Sequence, residues 1–197
     1  MRKKITTAVL GLGFAAVSVL ATSGTAHAHG YSTSPTSRQL HCAQGTVSDC
    51  GSIVWEPQSV EGPKGFPRSG PADGQICSGG NQRFAQLDDP RNGSWPATRL
   101  TAGQGYTFSW RFTARHSTSE FRYYITRDSY NPSRPLTRAD LEPQPFMTVP
   151  MGGRQPGQTE HHQGTVPTQK SGKHIILAVW DVADTQNAFY ACSDVQF

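Results

Sequence analysis

Apolar and polar residues alternate most regularly in the second half of the chain. Aromatic side chains occupy every second position from Tyr106 to Phe112, with polar residues between them, and this period of two predicts a half-buried strand. Residues 121–126 and 188–197 are predicted to form further strands. The segment 173–181 is apolar on both faces, which is typical of a central strand covered on both sides.

The chain before residue 100 lacks such a pattern and is predicted to be irregular. Residues 56–74 contain four prolines and four glycines in 19 positions, which excludes a regular helix or a central strand. A long ordered loop of this kind is usually functional, and the alternative is a disordered linker between domains. The aromatic residues Trp55 and Phe66 favour the ordered loop. Residues 135–141 are predicted to form one helical turn.

These patterns together predict a mostly β fold. We expect an immunoglobulin- or fibronectin III-like β-sandwich with a large loop and short-helix insertion. No long amphipathic helix and no internal repeat is visible in the sequence.

The first 28 residues have the layout of a secretory signal peptide, which would make the mature protein extracellular. Three basic residues stand at positions 2–4, an uncharged and mostly apolar run follows at 8–20, and Ala26 and Ala28 provide a small-residue cleavage site. The apolar run is shorter than the roughly 20 residues that a membrane-spanning helix needs. Residues 29–197 are therefore expected to form the mature protein as a single domain.

Removal of that segment changes the charge balance. The whole chain has a formal charge of +4, but residues 1–28 hold three of the 18 basic residues and none of the 14 acidic ones, leaving 15 against 14. A nucleic-acid-binding protein would need a clustered basic surface. We therefore expect neither nucleic acid nor a membrane as partner, and we expect a monomer.

The four cysteines are expected to form two disulfides, because the count is even and the protein is predicted to be exported. Three pairings are open, and we favour Cys42 with Cys50 and Cys77 with Cys192. Free or buried thiols are the alternative. A zinc site is disfavoured because the sequence has no Cys-x-x-Cys spacing.

Cleavage after Ala28 would make His29 the first residue, and this has a chemical consequence. The free α-amine and the ring Nδ1 of a terminal histidine can bind one metal ion through two nitrogens. The α-amine has a pKa of about 7.7–8.0, so it loses its proton to a metal readily. Cleavage after Ala26 is the alternative and would place His27 first.

A further nitrogen ligand would have to come from another histidine. His116 is the best placed, because it follows directly on the aromatic strand. An all-nitrogen, tetragonal set of two imidazoles and an amine favours Cu(II) over Zn(II). His161 and His162 are neighbours that would point to opposite faces of a strand, and we interpret both as surface residues. The remaining candidates are His41 and His174.

The sequence resembles the bacterial lytic polysaccharide monooxygenases of auxiliary activity family 10, of the chitin-binding protein type. The similarity runs from the first mature residue nearly to the last. The stretches that carry it include His29–Tyr31, Trp55–Gly62, Gly65–Pro67, Gly70–Gly74, Thr113–Thr118, Pro135–Arg138, Ile176–Asp181 and Asn187–Tyr190.

The resemblance implies that residues 29–197 are a catalytic domain that holds one copper ion in a histidine brace made by His29 and His116. It also implies roles close to the copper for Ala114, Phe189, Glu61, Thr113 and Asp184. Phe189 would lie beside an axial position and cannot act as a ligand. Glu61 and Asp184 would otherwise be interpreted as solvated loop charges.

The resemblance implies a substrate as well. A crystalline polysaccharide presents a flat surface, so a flat face with an exposed aromatic ring suits it better than a pocket. Trp55 matches that aromatic residue, and the polar residues Glu56, Gln58 and Ser59 stand beside it in sequence. The implied activity is oxidative cleavage of β-1,4 bonds in chitin at C1, with an external electron donor and O₂ or H₂O₂. Cellulose as substrate, or chitin binding without catalysis, are the alternatives.

Overall fold

The computed structural model describes residues 28–197, so the predicted signal peptide lies outside the described residues except for Ala28. Strands dominate this part of the chain. They are β1 (His29–Ser34), β2 (Glu61–Pro63), β3 (Thr98–Arg99), β4 (Gly105–Ala114), β5 (Thr118–Ile125), β6 (Met147–Pro150), β7 (Thr159–Thr165), β8 (Lys173–Val182) and β9 (Asn187–Gln196).

The helices are short and most of them lie between β1 and β3. The α-helix α1 covers Arg38–Ala43, and 3₁₀ helices cover Gly51–Trp55, Pro57–Ser59, Gln82–Leu87, Arg91–Gly93 and Arg138–Asp140. The last of these lies within the predicted helical turn at 135–141. The others, with the loops that join them, form the insertion that the proline and glycine content predicts.

The strands form two sheets packed as a sandwich, which confirms the predicted fold class. The small sheet has the order β1-β4-β7, and the large sheet has the order β2-β9-β8-β5-β6. All pairs along these two orders are antiparallel, whereas the short β3 pairs parallel with β9. β8 lies between β5 and β9, so its predicted central position is confirmed.

The large sheet is covered on both faces, which explains the continuous apolar character of β8. Ile176, Ala178 and Trp180 face the sandwich core between the sheets, with Phe108, Trp110 and Phe112 of β4 among their neighbours in the cluster. The alternate residues Ile175, Leu177 and Val179 face an insertion core on the opposite side. The insertion core also contains Ile53, Val60, Phe66, Ile76, Phe84, Leu87 and Trp95.

The structure joins Cys42 to Cys50 and Cys77 to Cys192, the pairing favoured above. The second bond ties the insertion to β9. No helix among residues 28–197 is long and apolar enough to cross a membrane.

Some segments predicted to be irregular, or left without a prediction, are strands. β1 and β2 lie before residue 100, and neither has an apolar alternation: the buried positions in β1 are Gly30 and Ser32. β7 carries no apolar alternation either, and its one buried residue is the polar His162. In β6, Met147 and Val149 do alternate with exposed residues, but the strand has only four residues.

The interpretation of His162 as a surface residue is therefore wrong. It is 5% exposed, and its Nδ1 lies 2.6 Å from the hydroxyl of Tyr123. Burial lowers the pKa of His162, so the ring is held neutral between the sheets. His161 points the other way and is exposed, as the alternation of a strand requires.

Candidate metal centre

His29 begins β1 at one end of the sandwich and is partly buried. In the pairing of β1 with β4 it lies opposite Ala114, and a bulge separates this pair from the next one. Gly30 permits the close approach, because a Cβ at this position would lie 2.6 Å from Cδ1 of Phe112. The register therefore holds His29 beside Ala114, the last residue of β4, and His116 follows two residues later in the chain.

His116 lies in the short connection between β4 and β5, which is fixed by hydrogen bonds. Its carbonyl accepts a hydrogen bond of 3.0 Å from Oγ1 of Thr118, and the same Oγ1 accepts one of 2.7 Å from Nε1 of Trp180. The side chain of His116 is 15% exposed, and its Nδ1 lies 2.7 Å from Oδ1 of Asp184 in the turn after β8.

This contact with Asp184 is a close approach without hydrogen-bond geometry, because Nδ1 of His116 has no hydrogen-bond partner within residues 28–197. A carboxylate that lies beside a histidine is a common neighbour of metal ligands. Two imidazoles that project at one end of the sandwich fit a copper ion, which prefers nitrogen donors.

The side chains do not supply a complete ligand set. Within residues 28–197, no three His, Cys, Asp or Glu side chains lie together as a metal cluster. The α-amine of a processed His29 would add a nitrogen donor that is not a side chain.

Phe189 and Ala114 form the apolar surroundings of His29. Phe189 in β9 is 1% exposed, and its ring centroid lies 6.5 Å from that of His29. Behind it, Trp180 stacks on Phe189 at 4.8 Å. Ala114 is partly buried opposite His29, and its neighbour Thr113 is exposed on the same strand.

Glu61 lies at the edge of a shallow depression beside His29. It begins β2 opposite Phe189, and its Oε1 accepts a hydrogen bond of 2.8 Å from Nδ2 of Asn187. The depression has a volume of about 380 Å³, and its lining includes His29, Glu56, Ser59, Glu61, Asn81, Arg83 and Asn187. Asn187 belongs to a stretch that carries the family resemblance, but no local pattern marks it as a site residue.

Trp55 lies on the surface next to this depression in the chain. It ends the 3₁₀ helix Gly51–Trp55 and is 86% exposed, whereas Ile53 in the same helix is fully buried and anchors it. Glu56 forms an ion pair with Arg83, which comes from the 3₁₀ helix Gln82–Leu87. Arg83 carried no signal in the sequence that could have marked it.

The structure thus brings most of the predicted site residues to one end of the sandwich. His29, Ala114, Phe189, Glu61, Glu56 and Ser59 surround or adjoin the depression, and His116 is joined to Asp184. Gln58 is partly exposed in the 3₁₀ helix Pro57–Ser59 but does not line the depression.

Comparisons with known proteins identify relatives along nearly the whole described chain. A family model described as "Lytic polysaccharide mono-oxygenase, cellulose-degrading" matches residues 29–195. A GlcNAc-binding protein A from Shewanella oneidensis is 46% identical over 175 residues, which are 89% of this chain and 37% of that protein. An AA10 family lytic polysaccharide monooxygenase C from Mycosarcoma maydis is 46% identical over 173 residues, which are 86% of this chain and 52% of that protein. The chain therefore spans between a third and about half of the length of these relatives.

The described chain also matches solved structures with the same fold, and each match covers nearly the whole of the solved chain. An AA10 lytic polysaccharide monooxygenase from Streptomyces lividans is 60% identical with a TM-score of 0.84, and the match covers 86% of this chain and 100% of that one. A CBM33 protein from Bacillus amyloliquefaciens, solved in complex with Cu(I), is 42% identical with a TM-score of 0.77, covering 85% of this chain and 99% of that one.

Proposed function

The chain belongs to the lytic polysaccharide monooxygenases of auxiliary activity family 10, which are copper-dependent, and we propose from this that residues 29–197 are one catalytic domain that cleaves crystalline chitin oxidatively. The observation that carries the proposal is the arrangement of two histidines at one end of the sandwich. His29 lies opposite the end of β4, and His116 follows it with Nδ1 against Asp184.

We propose that Nε2 of His116, Nδ1 of His29 and the α-amine of His29 bind the copper. The amine becomes available when the signal peptide is removed after Ala28 and the protein is secreted. One copper ion per chain would supply one-electron redox chemistry and activation of O₂ or H₂O₂, with electrons from an external donor.

The residues around the ligands would control their orientation and the access of solvent. Asp184 lies 2.7 Å from Nδ1 of His116 and would help to orient the ring once the metal is bound. Phe189 and Ala114 present side chains that cannot ligate, so they leave room beside the histidines. Glu61 is oriented by Asn187 and can accept or release a proton at the edge of the depression. Thr113 is exposed on β4 and would face the substrate side.

The substrate would lie flat across the exposed surface that carries Trp55. An aromatic ring that is 86% exposed can stack on the apolar face of a sugar ring. Glu56, Gln58 and Ser59 are partly exposed beside it and can bond to hydroxyl or N-acetyl groups. The names of the GlcNAc-binding relatives support chitin, whereas the family description supports cellulose as the alternative.

The test is incubation of copper-loaded secreted protein with β-chitin and, in parallel, with crystalline cellulose, each with and without ascorbate. We expect mass spectrometry to find oligosaccharides ending in aldonic acids, formed from chitin and only with ascorbate. Oxidised products from cellulose but not from chitin would show that cellulose is the substrate. Strong adsorption to chitin without any oxidised product would show a binding protein instead, and products without reductant would show a hydrolase.

A further inference from the structure

The turn between β8 and β9 carries Asp184 to the side of His116, but it has no apolar anchor of its own. Residues 183–186 form this turn and contribute to neither hydrophobic core. Thr185 is partly buried, and the other three residues are exposed. A segment with so few buried contacts opens easily. Polar contacts must therefore keep the carboxylate of Asp184 at its distance of 2.7 Å from Nδ1 of His116.

Lys64, which follows β2 directly, supplies such contacts. Its ammonium nitrogen Nζ donates a hydrogen bond of 2.7 Å to the carbonyl of Thr185 and a second hydrogen bond to the carbonyl of Val182. These two carbonyls lie on either side of Asp184 in the chain, so the ammonium closes the turn across its base. The backbone N–H of Lys64 also donates to the carbonyl of Gln186, at 2.9 Å.

A further hydrogen bond joins the turn to the connection that carries His116. The N–H of Ala183 donates to the carbonyl of Ser117 at 2.7 Å, and Ser117 is the residue after His116. On its other side the turn is attached through Lys64 to β2, which begins with Glu61. The turn thus lies between two segments of the metal centre, and its position depends on both attachments.

The ammonium of Lys64 suits this task because of its chemistry. It has three N–H donors and no acceptor, and hydrogen bonds from a charged donor are stronger than those from a neutral one. A methionine at position 64 would fill similar space but leave the carbonyls of Val182 and Thr185 without this donor. The backbone hydrogen bond to Gln186 would remain. Loss of the ammonium should therefore loosen the turn without unfolding β2 or β9.

We propose that Lys64 is a positioning residue of the metal centre, which acts through residues 183–186 and holds Asp184 beside His116. Lys64 does not line the depression beside His29, so its effect on the site is indirect. The consequence for copper rests on the proposed function. The position of the turn does not depend on copper and can be measured without it.

The first measurement follows the backbone amides of the metal-free secreted protein by NMR. In Lys64→Met, the heteronuclear NOE of residues 183–186, which reports ps–ns motion, should fall, and the amide of His116 should shift. Lys64→Arg keeps charged N–H donors and should leave the turn rigid. The matched control is Lys173→Met, because the ammonium of Lys173 also donates to a backbone carbonyl, that of Gly93, but at the opposite end of β8.

The control should leave the NOE of the turn unchanged. A turn as rigid in Lys64→Met as in the unchanged protein would overturn the proposal, and so would a turn that Lys64→Arg loosens as much as Lys64→Met does. Neither result depends on copper binding.

The second measurement is calorimetric titration with copper. Lys64→Met and Asp184→Asn should each lower the affinity about tenfold, at the lower end of the range for outer partners of a metal. The double variant should bind copper no more weakly than Asp184→Asn alone, because residues of one network do not act additively. The Cu(II) EPR spectrum of Lys64→Met should differ from that of the unchanged protein and resemble that of Asp184→Asn.

A double variant that loses the product of the two single effects, about 100-fold, would overturn the proposal, because Lys64 would then act independently of Asp184. Unchanged affinity in Lys64→Met would overturn it as well. Failure of the unchanged protein to bind copper would instead refute the proposed function, and the NMR measurement would still decide whether Lys64 holds the turn.

Discussion

Polar side chains at the candidate metal centre stay partly exposed, whereas those that join the insertion to the large sheet are buried and paired. The side chain of Asp184, which contacts His116, is 56% exposed, but those of Arg38 and Asp194 are 3% and 13% exposed. Arg38 donates to both carboxylate oxygens of Asp194, at 2.7 and 3.0 Å, and to the carbonyl of Leu87 at 2.8 Å. The first group is placed for a ligand from outside, and the second group holds the fold.

The largest expected effect is on chemistry and comes from the exposed region. His116→Ala should lower the yield of oxidised products at least about 10³-fold, because a lost ligand costs more than the 10- to 100-fold of a lost outer partner. The melting temperature without copper should change less than in the buried-region variant below, since the side chain of its partner Asp184 is 56% exposed. Calorimetric titration with copper gives the affinity. His161→Ala removes an exposed histidine from β7 as control, and wild-type copper affinity in His116→Ala would remove this residue from the ligand set.

In the buried region around Arg38 and Asp194, we expect a substitution to reduce stability and leave copper binding unchanged. Arg38→Met should lower the free energy of unfolding by about 3–5 kcal/mol, because Asp194 then lacks its buried partner. Urea denaturation measures this, and the copper affinity of the folded fraction should not change. Arg83→Met breaks the Glu56 ion pair, in which Arg83 is 64% exposed, and should cost about 1 kcal/mol or less. Equal losses in the two variants would contradict the contrast between the regions.

A smaller effect on copper is expected from the backbone alone. Retention of Ala28 before His29 turns the amine into an amide nitrogen, which cannot bind a metal ion without losing a proton. The affinity for copper should fall by at least about 100-fold, because a lost ligand costs more than a lost outer partner. Mass spectrometry establishes the first residue and calorimetry the affinity. Equal affinity of the two forms would exclude the amine as a ligand.

Loss of the exposed ring should weaken substrate binding without affecting the fold. Trp55→Ala should lower adsorption to β-chitin about tenfold, in line with one aromatic contact of a little over 1 kcal/mol. The melting temperature should stay constant because Trp55 is 86% exposed. Trp55→Tyr keeps an aromatic face and should retain most of the adsorption. Unchanged adsorption of Trp55→Ala would show that chitin binds to a different surface of the protein.

The sequence predicts the main strands better than it predicts the insertion core or the residues around the metal centre. β4 follows from its alternation of apolar and polar residues and β8 from its continuous apolar run, and the disulfide pairing is one of three open choices. The insertion core was not predictable in detail, since Phe84 and Leu87 come from a short 3₁₀ helix and Trp95 from a loop, and neither segment has apolar periodicity. His29 and His116 follow from the cleavage site and from the end of the aromatic strand. Glu61 and Asp184 follow only from the family resemblance, because no local pattern distinguishes them from solvated charges. Arg83 and Asn187 join the site only through the folding of distant segments.

The smallest expected effect is the pH dependence of the buried histidines. His174 is 3% exposed, and its Nδ1 lies 2.9 Å from Oγ1 of Thr126. Burial lowers the pKa values of His162 and His174 below the ordinary 6.5 in the folded protein, so the unfolded chain binds more protons at mildly acid pH. Their contribution to stability is therefore complete above about pH 6.5 and declines as the pH falls, by at most about 1.4 kcal/mol per pH unit for each histidine. His162→Gln should reduce the slope of unfolding free energy between pH 7 and 5, whereas the exposed control His161→Gln should not. Equal slopes in both variants would mean that His162 titrates alike in the folded and unfolded chain.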